Sequence, residues 1–340
     1  MGIERTLGIL ITNACSVGCA HCITNSLSTS PDMPWDLYVK VITEARGLPD
    51  FTTICYSGGE PFQRYPHLLR AARLARDETS FRITINTSAV WAKSDAVVSH
   101  RLAELDGLRK LGISYDMFHS RVPFANVERS VAIANDMGVE CDLKICRTGI
   151  RERDAPILER AAILAGRYDN CQLLLADLFS TARSDAAGFN PATSPYYDPG
   201  GIQCGMPDQV FVVTVSGEVY NCCGALLMQR DANPFYLGNA YDESFPRLVE
   251  LAERSSVIQL FKTHSLAEIE ILLMEETGGE LDVDRGNMCE HCKGLCRSNA
   301  ARLGAVASTR STWERIALRN ALFFSRTSDI AALADVKGSA

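Results

Sequence analysis

The sequence predicts an α/β fold: a six-stranded parallel sheet interleaved with helices, then a second, smaller unit. Three observations carry this expectation. Six short β-rich runs alternate with helical patterns between residues 6 and 178. The alternation stops in a Pro- and Gly-rich stretch over 184–209. Nine of the thirteen cysteines fall into two clusters, 15–22 and 204–296. Repeated β–α alternation implies parallel strands joined by right-handed crossovers. An open doubly wound sheet and a curved partial barrel both satisfy that pattern.

The elements follow in order. TLGILIT (6–12) reads as a strand leading into a cysteine-rich loop, and 36–46 as a helix. TTICYS (52–57) precedes a helix over 65–76. FRITINT (81–87) precedes a helix over 95–111, where Val98, Leu102, Leu105 and Leu108 recur at helical spacing and Gly112 suits the C-terminal cap. GISYD (112–116) precedes a helix over 124–137, with Val127, Val131 and Ala134 on one face. VECDLKIC (139–146) precedes a helix over 155–166, and CQLLLAD (171–177) is the sixth strand. After the loops, VFVVTV (210–215), Ser216-Gly217 and EVYN (218–221) read as a β-hairpin. Helices are expected over 243–276 and 311–335, and the domain boundary near residue 190.

Composition excludes some classes of function. The 340 residues are 46% hydrophobic and 22% charged, with net charge −7 and no basic stripe, which argues against a general nucleic-acid binder. No apolar run approaches the length of a membrane span. The start, MGIERTLGILITNAC, lacks the basic segment and long apolar core of a signal peptide, so a cytoplasmic location is expected. Thirteen cysteines in a reducing compartment favour metal or catalytic roles over disulfides.

CSVGCAHC places Cys15, Cys19 and Cys22 in one loop after the first strand. Three cysteines cannot all pair as disulfides. Three thiolates on a four-iron cubane leave one iron open for a ligand, and α/β folds place their chemistry at this end of the strands. A zinc knuckle or fortuitously buried cysteines are the plainer alternatives.

The CxxxCxxC spacing of Cys15, Cys19 and Cys22 resembles the signature of the radical S-adenosylmethionine (SAM) superfamily. The likeness covers about residues 6–180 and implies a partial (β/α)6 TIM-type barrel over 1–190. It also implies a SAM-binding [4Fe–4S] cluster. SGGEP (57–61) resembles the family's GGE motif, which implies that Gly58, Gly59 and Glu60 hold the SAM amino group. Asn86 in INTS resembles the ribose-contacting position, and Ser114 in SYD the contact near the methionine carboxylate. His21 departs from the aromatic that most members carry before the third cysteine. In such enzymes reductive cleavage of SAM yields a 5′-deoxyadenosyl radical, which abstracts a substrate hydrogen atom; the implied electron donor is a flavodoxin or ferredoxin.

Twelve residues, Gly217 and four residues separate Cys204 from Cys222. This CxnGx4C spacing resembles the opening of SPASM and twitch auxiliary-cluster domains, which implies such a domain over 191–300 and a C-terminal helical segment over 301–340. CEHCKGLC then supplies Cys289, Cys292 and Cys296. The set is shorter than a full SPASM pattern, which implies one auxiliary [4Fe–4S] cluster on Cys204, Cys222, Cys289 and Cys292. Cys296 could replace Cys292, and a structural zinc is the alternative.

Cys223 is then spare, either a small buried hydrophobe or a hydrogen-atom donor, with Cys146 as rival donor. Asp142, Lys144 and Cys146 share one strand face that could line the barrel lumen. Asp116 and His119 are candidates to hold or deprotonate substrate, Arg147 to pair with a carboxylate, and Asp208 to act as acid or base. Each is as readily structural. A spare cysteine and no room before residue 6 for a leader-binding domain resemble radical SAM epimerases of peptides or aminoglycosides. Dehydrogenation of an amino sugar and peptide crosslinking are the alternatives, as is a scaffold that binds SAM without turnover.

Overall fold

The computed structural model describes residues 4–194, 197–201 and 204–320. The first six runs become β1 (Arg5–Thr12), β2 (Phe51–Gly58), β3 (Arg82–Thr87), β4 (Leu108–Ser114), β5 (Glu140–Arg147) and β6 (Cys171–Asp177). Each pairs in parallel with the next in sequence. A doubly wound sheet reverses its strand order at a switch point. Across these six strands the order does not reverse, and the architecture is the partial barrel.

Helices α1 (Trp35–Ala45), α2 (Tyr65–Glu78), α3 (Asp95–Glu104), α4 (Phe124–Asp136) and α5 (Arg151–Ala165) fill the crossovers. They bury apolar stripes against the sheet; α1 contributes Leu37, Tyr38, Val41 and Ile42. A fully buried side chain of this kind contributes about 1.5–3 kcal/mol. The buried hydroxyls of Tyr38 and Tyr56 meet at 2.6 Å, and Tyr38 also donates to the Ala71 carbonyl. Both phenols are satisfied without water.

One boundary differs from expectation. The helix over 95–111 stops at Glu104, and Leu108 opens β4. Gly107, at φ +84°, makes the turn between them. The helical spacing runs on through Leu105 and Leu108 because both enter the same core from different elements. Gly112 is therefore a strand residue and not a cap.

The second half continues the same sheet. After α6 (Ala182–Ala186), β7 (Val210–Val213) lies parallel to β1, and β8 (Glu218–Tyr220) and β9 (Tyr236–Asn239) follow antiparallel. The hairpin is as expected; β9 is additional. Phe211 of β7 and Phe245 beyond it pack on Phe51 with ring centroids 5.5 and 5.4 Å away. One hydrophobic core thus runs across residue 190.

The helix expected over 243–276 is three helices: α7 (Phe245–Arg254), α8 (Ser256–Thr263) and α9 (Leu266–Thr277). Ser244, Ser255 and Ser265 each cap the helix that follows, Ser265 in a capping box with Glu268. Serine in an apolar periodic stretch marks a new N-terminus, because its hydroxyl satisfies an orphan amide. α10 (Met288–Ala307) carries the last three cysteines and had no periodic signal. A further helix covers 310–320; the remainder of the helix expected to 335 lies outside the described residues. Among the described residues no helix is long and apolar enough to cross a membrane.

Candidate active site

A cavity of about 250 Å³ opens at the C-terminal ends of the strands. Cys15, Cys19 and Cys22 line it, with Gly58, Gly59, Asn86, Ser114, His119 and Cys223. The cysteine loop is closed on itself: the Cys15 amide donates to the Leu27 carbonyl at 2.9 Å. The Ser26 amide points at Cys22 Sγ, 3.4 Å away, and the Thr24 hydroxyl lies at 3.5 Å.

Gly58 and Gly59 bring the end of β2 against that loop. The Gly59 amide donates to the Thr12 carbonyl at 2.6 Å, and the Glu60 amide to the Ala14 carbonyl at 2.8 Å. A Cβ on Gly58 would stand 2.1 Å from the Thr12 carbonyl oxygen. No other residue fits there, whatever its polarity.

Glu60, the acid of that motif, is held by the protein's own donors. Its carboxylate accepts from the Thr87 hydroxyl (2.8 Å), the Ser88 amide (2.8 Å), the Ser88 hydroxyl (2.5 Å) and the Phe62 amide (3.1 Å). It is 1% exposed and does not line the cavity. Burial pushes the carboxyl up in pKa, and these donors oppose that shift. Glu60 ties the end of β2 to the end of β3, and the neighbouring Thr87 and Ser88 face the cavity instead.

Asp116 orients His119 through a 2.7 Å contact between Oδ1 and Nδ1. Both are buried, and His119 alone lines the cavity. Burial opposes charge on His119, but hydrogen bonds to Asp116 and Cys19 push its pKa up to about 10. His21 lines the cavity and packs on Phe118 with centroids 4.5 Å apart; burial holds it down at about 4, a neutral ring. Arg147 does not reach the cavity: it pairs with Asp177 at 2.6 Å across β5 and β6. Asp208 is also elsewhere, at the opening of β1, between Arg5 (2.6 Å) and Lys262 (2.8 Å). Two cations on one buried carboxylate make a structural ion cluster.

The second cysteine group also assembles. Cys292 lies within electrostatic reach of Cys204, Cys222 and Cys289, and Cys289 within reach of Cys204. Cys296 contacts Cys292 but is fully buried in the hydrophobic core. Cys146 packs in one cluster with Phe118, Leu178 and the cavity residue Cys19, and does not itself line the cavity. Cys223 lines the cavity together with the first cysteine group and also lies within electrostatic reach of Cys204 and Cys289.

Among the described residues the cysteine sulfurs are not gathered in threes as a single zinc ion would hold them. Zn–S bonds of about 2.3 Å would set thiolates about 3.8 Å apart. Among the described residues, the group of three or more potential ligand atoms within 4.8 Å is His21, Asp116 and His119, and contains no cysteine. Burial pushes the thiols of Cys15 and Cys204 up to about 11, and that of Cys289 to about 12. Bound cations reverse that burden by holding the thiolates.

Residues 9–157 match the model of the Radical SAM superfamily. No curated protein matches the chain. Native anSMEcpe, solved with bound AdoMet and peptide, is similar in structure at TM-score 0.52 and 15% identity, covering 89% of this chain and 99% of that one. BtrN with AdoMet and 2-DOIA aligns at 0.46 and 14%, over 78% and 90%. SuiB of Streptococcus suis with S-adenosylmethionine aligns at 0.49 and 15%, over 72% and 64%. The first likeness shows the fold. The family match covers the barrel from β1 into α5.

Proposed function

We propose that this chain is a radical SAM epimerase that inverts a C–H centre in a natural product, a peptide residue or an amino sugar. One observation carries the reading: Cys223, left over from the second cysteine group's four expected ligands, lines the same cavity as Cys15, Cys19 and Cys22. Cys15, Cys19 and Cys22 would hold the SAM-binding cluster. Bound there, the cluster and SAM supply one-electron cleavage of the sulfonium and removal of a substrate hydrogen atom. Asn86, Ser114 and the glycine pair border the space for SAM.

Inversion needs a hydrogen atom returned from the opposite face. The Cys223 S–H bond breaks, its hydrogen forms the new C–H bond, and a thiyl radical remains. One electron, from a flavodoxin- or ferredoxin-type donor, and one proton from water restore the thiol. Cys204, Cys222, Cys289 and Cys292 would hold an auxiliary [4Fe–4S] cluster beside this step. The core position of Cys296 favours Cys292 as the fourth ligand.

Reconstituted enzyme, dithionite and SAM are incubated in deuterated water with candidate peptides and amino sugars. The expected product carries one deuterium at the inverted carbon. Cys223→Ala should still form 5′-deoxyadenosine but yield little epimer. Undiminished deuterated epimer from that variant removes Cys223 from the reaction. A product two hydrogens lighter makes the enzyme a dehydrogenase.

A further inference from the structure

Beneath the active-site cavity lies a second one of about 410 Å³, lined by residues of β1 to β5. Asn86 of β3 lines both. Its amide is held at each end by a residue of the lower cavity. Oδ1 accepts from the Lys144 ammonium at 2.6 Å, and Nδ2 donates to Cys55 Sγ at 3.4 Å. Lys144 and Cys55 line the lower cavity and not the upper.

Lys144 belongs to β5, so its side chain crosses β4 to reach Asn86. It does so at Gly112, where the missing side chain leaves the room. A Cβ there would stand 2.3 Å from Asn86 Oδ1 and 2.9 Å from Lys144 Cε. Lys110, which lines the same cavity, pairs with Asp142 at 3.3 Å; Lys144 is spent on the neutral amide instead. An ammonium only donates, whereas an amide has one accepting end and one donating end. Lys144 therefore fixes which way the amide faces. Turned over, Asn86 would set its own N–H groups against those of the ammonium. In the orientation held, these two contacts leave one hydrogen on Nδ2 and one lone pair on Oδ1.

We infer that Lys144 is a positioning residue for SAM: from the lower cavity, and through Asn86, it fixes the order in which the amide's donor and acceptor meet the ligand above. The inference rests on the reading of the upper cavity as SAM's. An amide that is free to turn over must be ordered when the ligand binds. One already pinned is preorganised, and that lowers the cost of binding. Lys144 itself touches neither the ligand nor the reacting atoms.

The test is a double-mutant cycle read as the equilibrium affinity for SAM, without reductant, of the anaerobically reconstituted protein. Asn86→Ala should weaken SAM about tenfold, and Lys144→Met about fivefold, as expected for a hydrogen bond lost and one misaligned. Lys144→Met added to Asn86→Ala should cost nothing more, because the lysine then has no amide to hold. Gly112→Ala gives a second route. It should weaken SAM in the wild type, and not in Asn86→Ala, where the oxygen it obstructs is gone. Iron per chain should match the wild type throughout. Wild-type affinity in Lys144→Met overturns the inference, as do losses from Lys144→Met and Asn86→Ala that multiply. Iron lost from Lys144→Met would also overturn it, by making the lysine a support of the fold around the cluster. A wild type that binds no SAM removes the reading of the cavity, and this inference with it; normal wild-type binding with any of the other failures removes the inference alone. No turnover is involved, so epimerisation stands or falls separately on the deuterium experiment.

Discussion

Gly59 packs so tightly on Ala14 that a Cβ would stand 2.3 Å from the Ala14 carbonyl oxygen. That contact, between the end of β2 and the start of the cysteine loop, sets the height at which Cys15 enters the cavity. Gly59→Ala must push the two backbones apart. The reconstituted wild type should hold about eight irons as two cubanes. Gly59→Ala should lose about half of them and its reductive SAM cleavage, measured as iron per chain and 5′-deoxyadenosine. Full iron with normal cleavage would mean that the loop adapts.

Replacing Cys15, Cys19 and Cys22 together should also leave roughly half the iron, now held by the second group alone. SAM cleavage should be abolished. Reductive cleavage by the triple variant would place the active cluster elsewhere.

Cys292 and Cys296 should separate cleanly. Cys292→Ala should strip the auxiliary iron while the SAM-binding cluster remains. Cys296→Ala should keep all iron and lower stability by about 1 kcal/mol, as expected for emptying a small core site. Iron loss from the second variant instead of the first would exchange their roles.

Glu60→Gln tests the role of that side chain. Its carboxylate accepts four hydrogen bonds, and an amide cannot meet all four donors. The cost should be about 1–3 kcal/mol, seen as a Tm lower by several degrees. Unchanged Tm with weakened SAM binding would return Glu60 to the ligand.

A pH dependence should arise far from the site. Arg319 donates to both oxygens of Glu268, at 2.7 and 3.0 Å, and holds its carboxyl down at about 2 from the ordinary 4.5. A depressed carboxyl adds stability above its unfolded pKa, and that stability is lost as pH falls through the folded one. The gap in urea midpoint between wild type and Glu268→Gln should therefore be widest above pH 4.5 and close towards pH 2. The pair is partly exposed, so the gap should be small. A gap that widened in acid would contradict the assignment.

What the sequence determined by itself was whatever is encoded over a few neighbouring residues. Six alternating strands, the CxxxCxxC loop after the first and the glycine pair after the second were legible because periodicity and spacing are local. The hairpin that brings Cys222 back was legible for the same reason. Where one apolar stripe served two elements, as at Leu105 and Leu108, the local signal misled. Tertiary structure alone decided the rest. Asp208 looked like an acid or base until Arg5, 203 residues away, claimed it. Glu60 was drawn into the Thr87–Ser88 turn on the next strand. Lys144 met Asn86 across 58 residues, and Cys223 came to line one cavity with Cys15. Such pairings depend on how far a sheet curls and which end of a strand a side chain leaves. Those quantities are set by the packing of the whole core, and no short stretch of residues contains them.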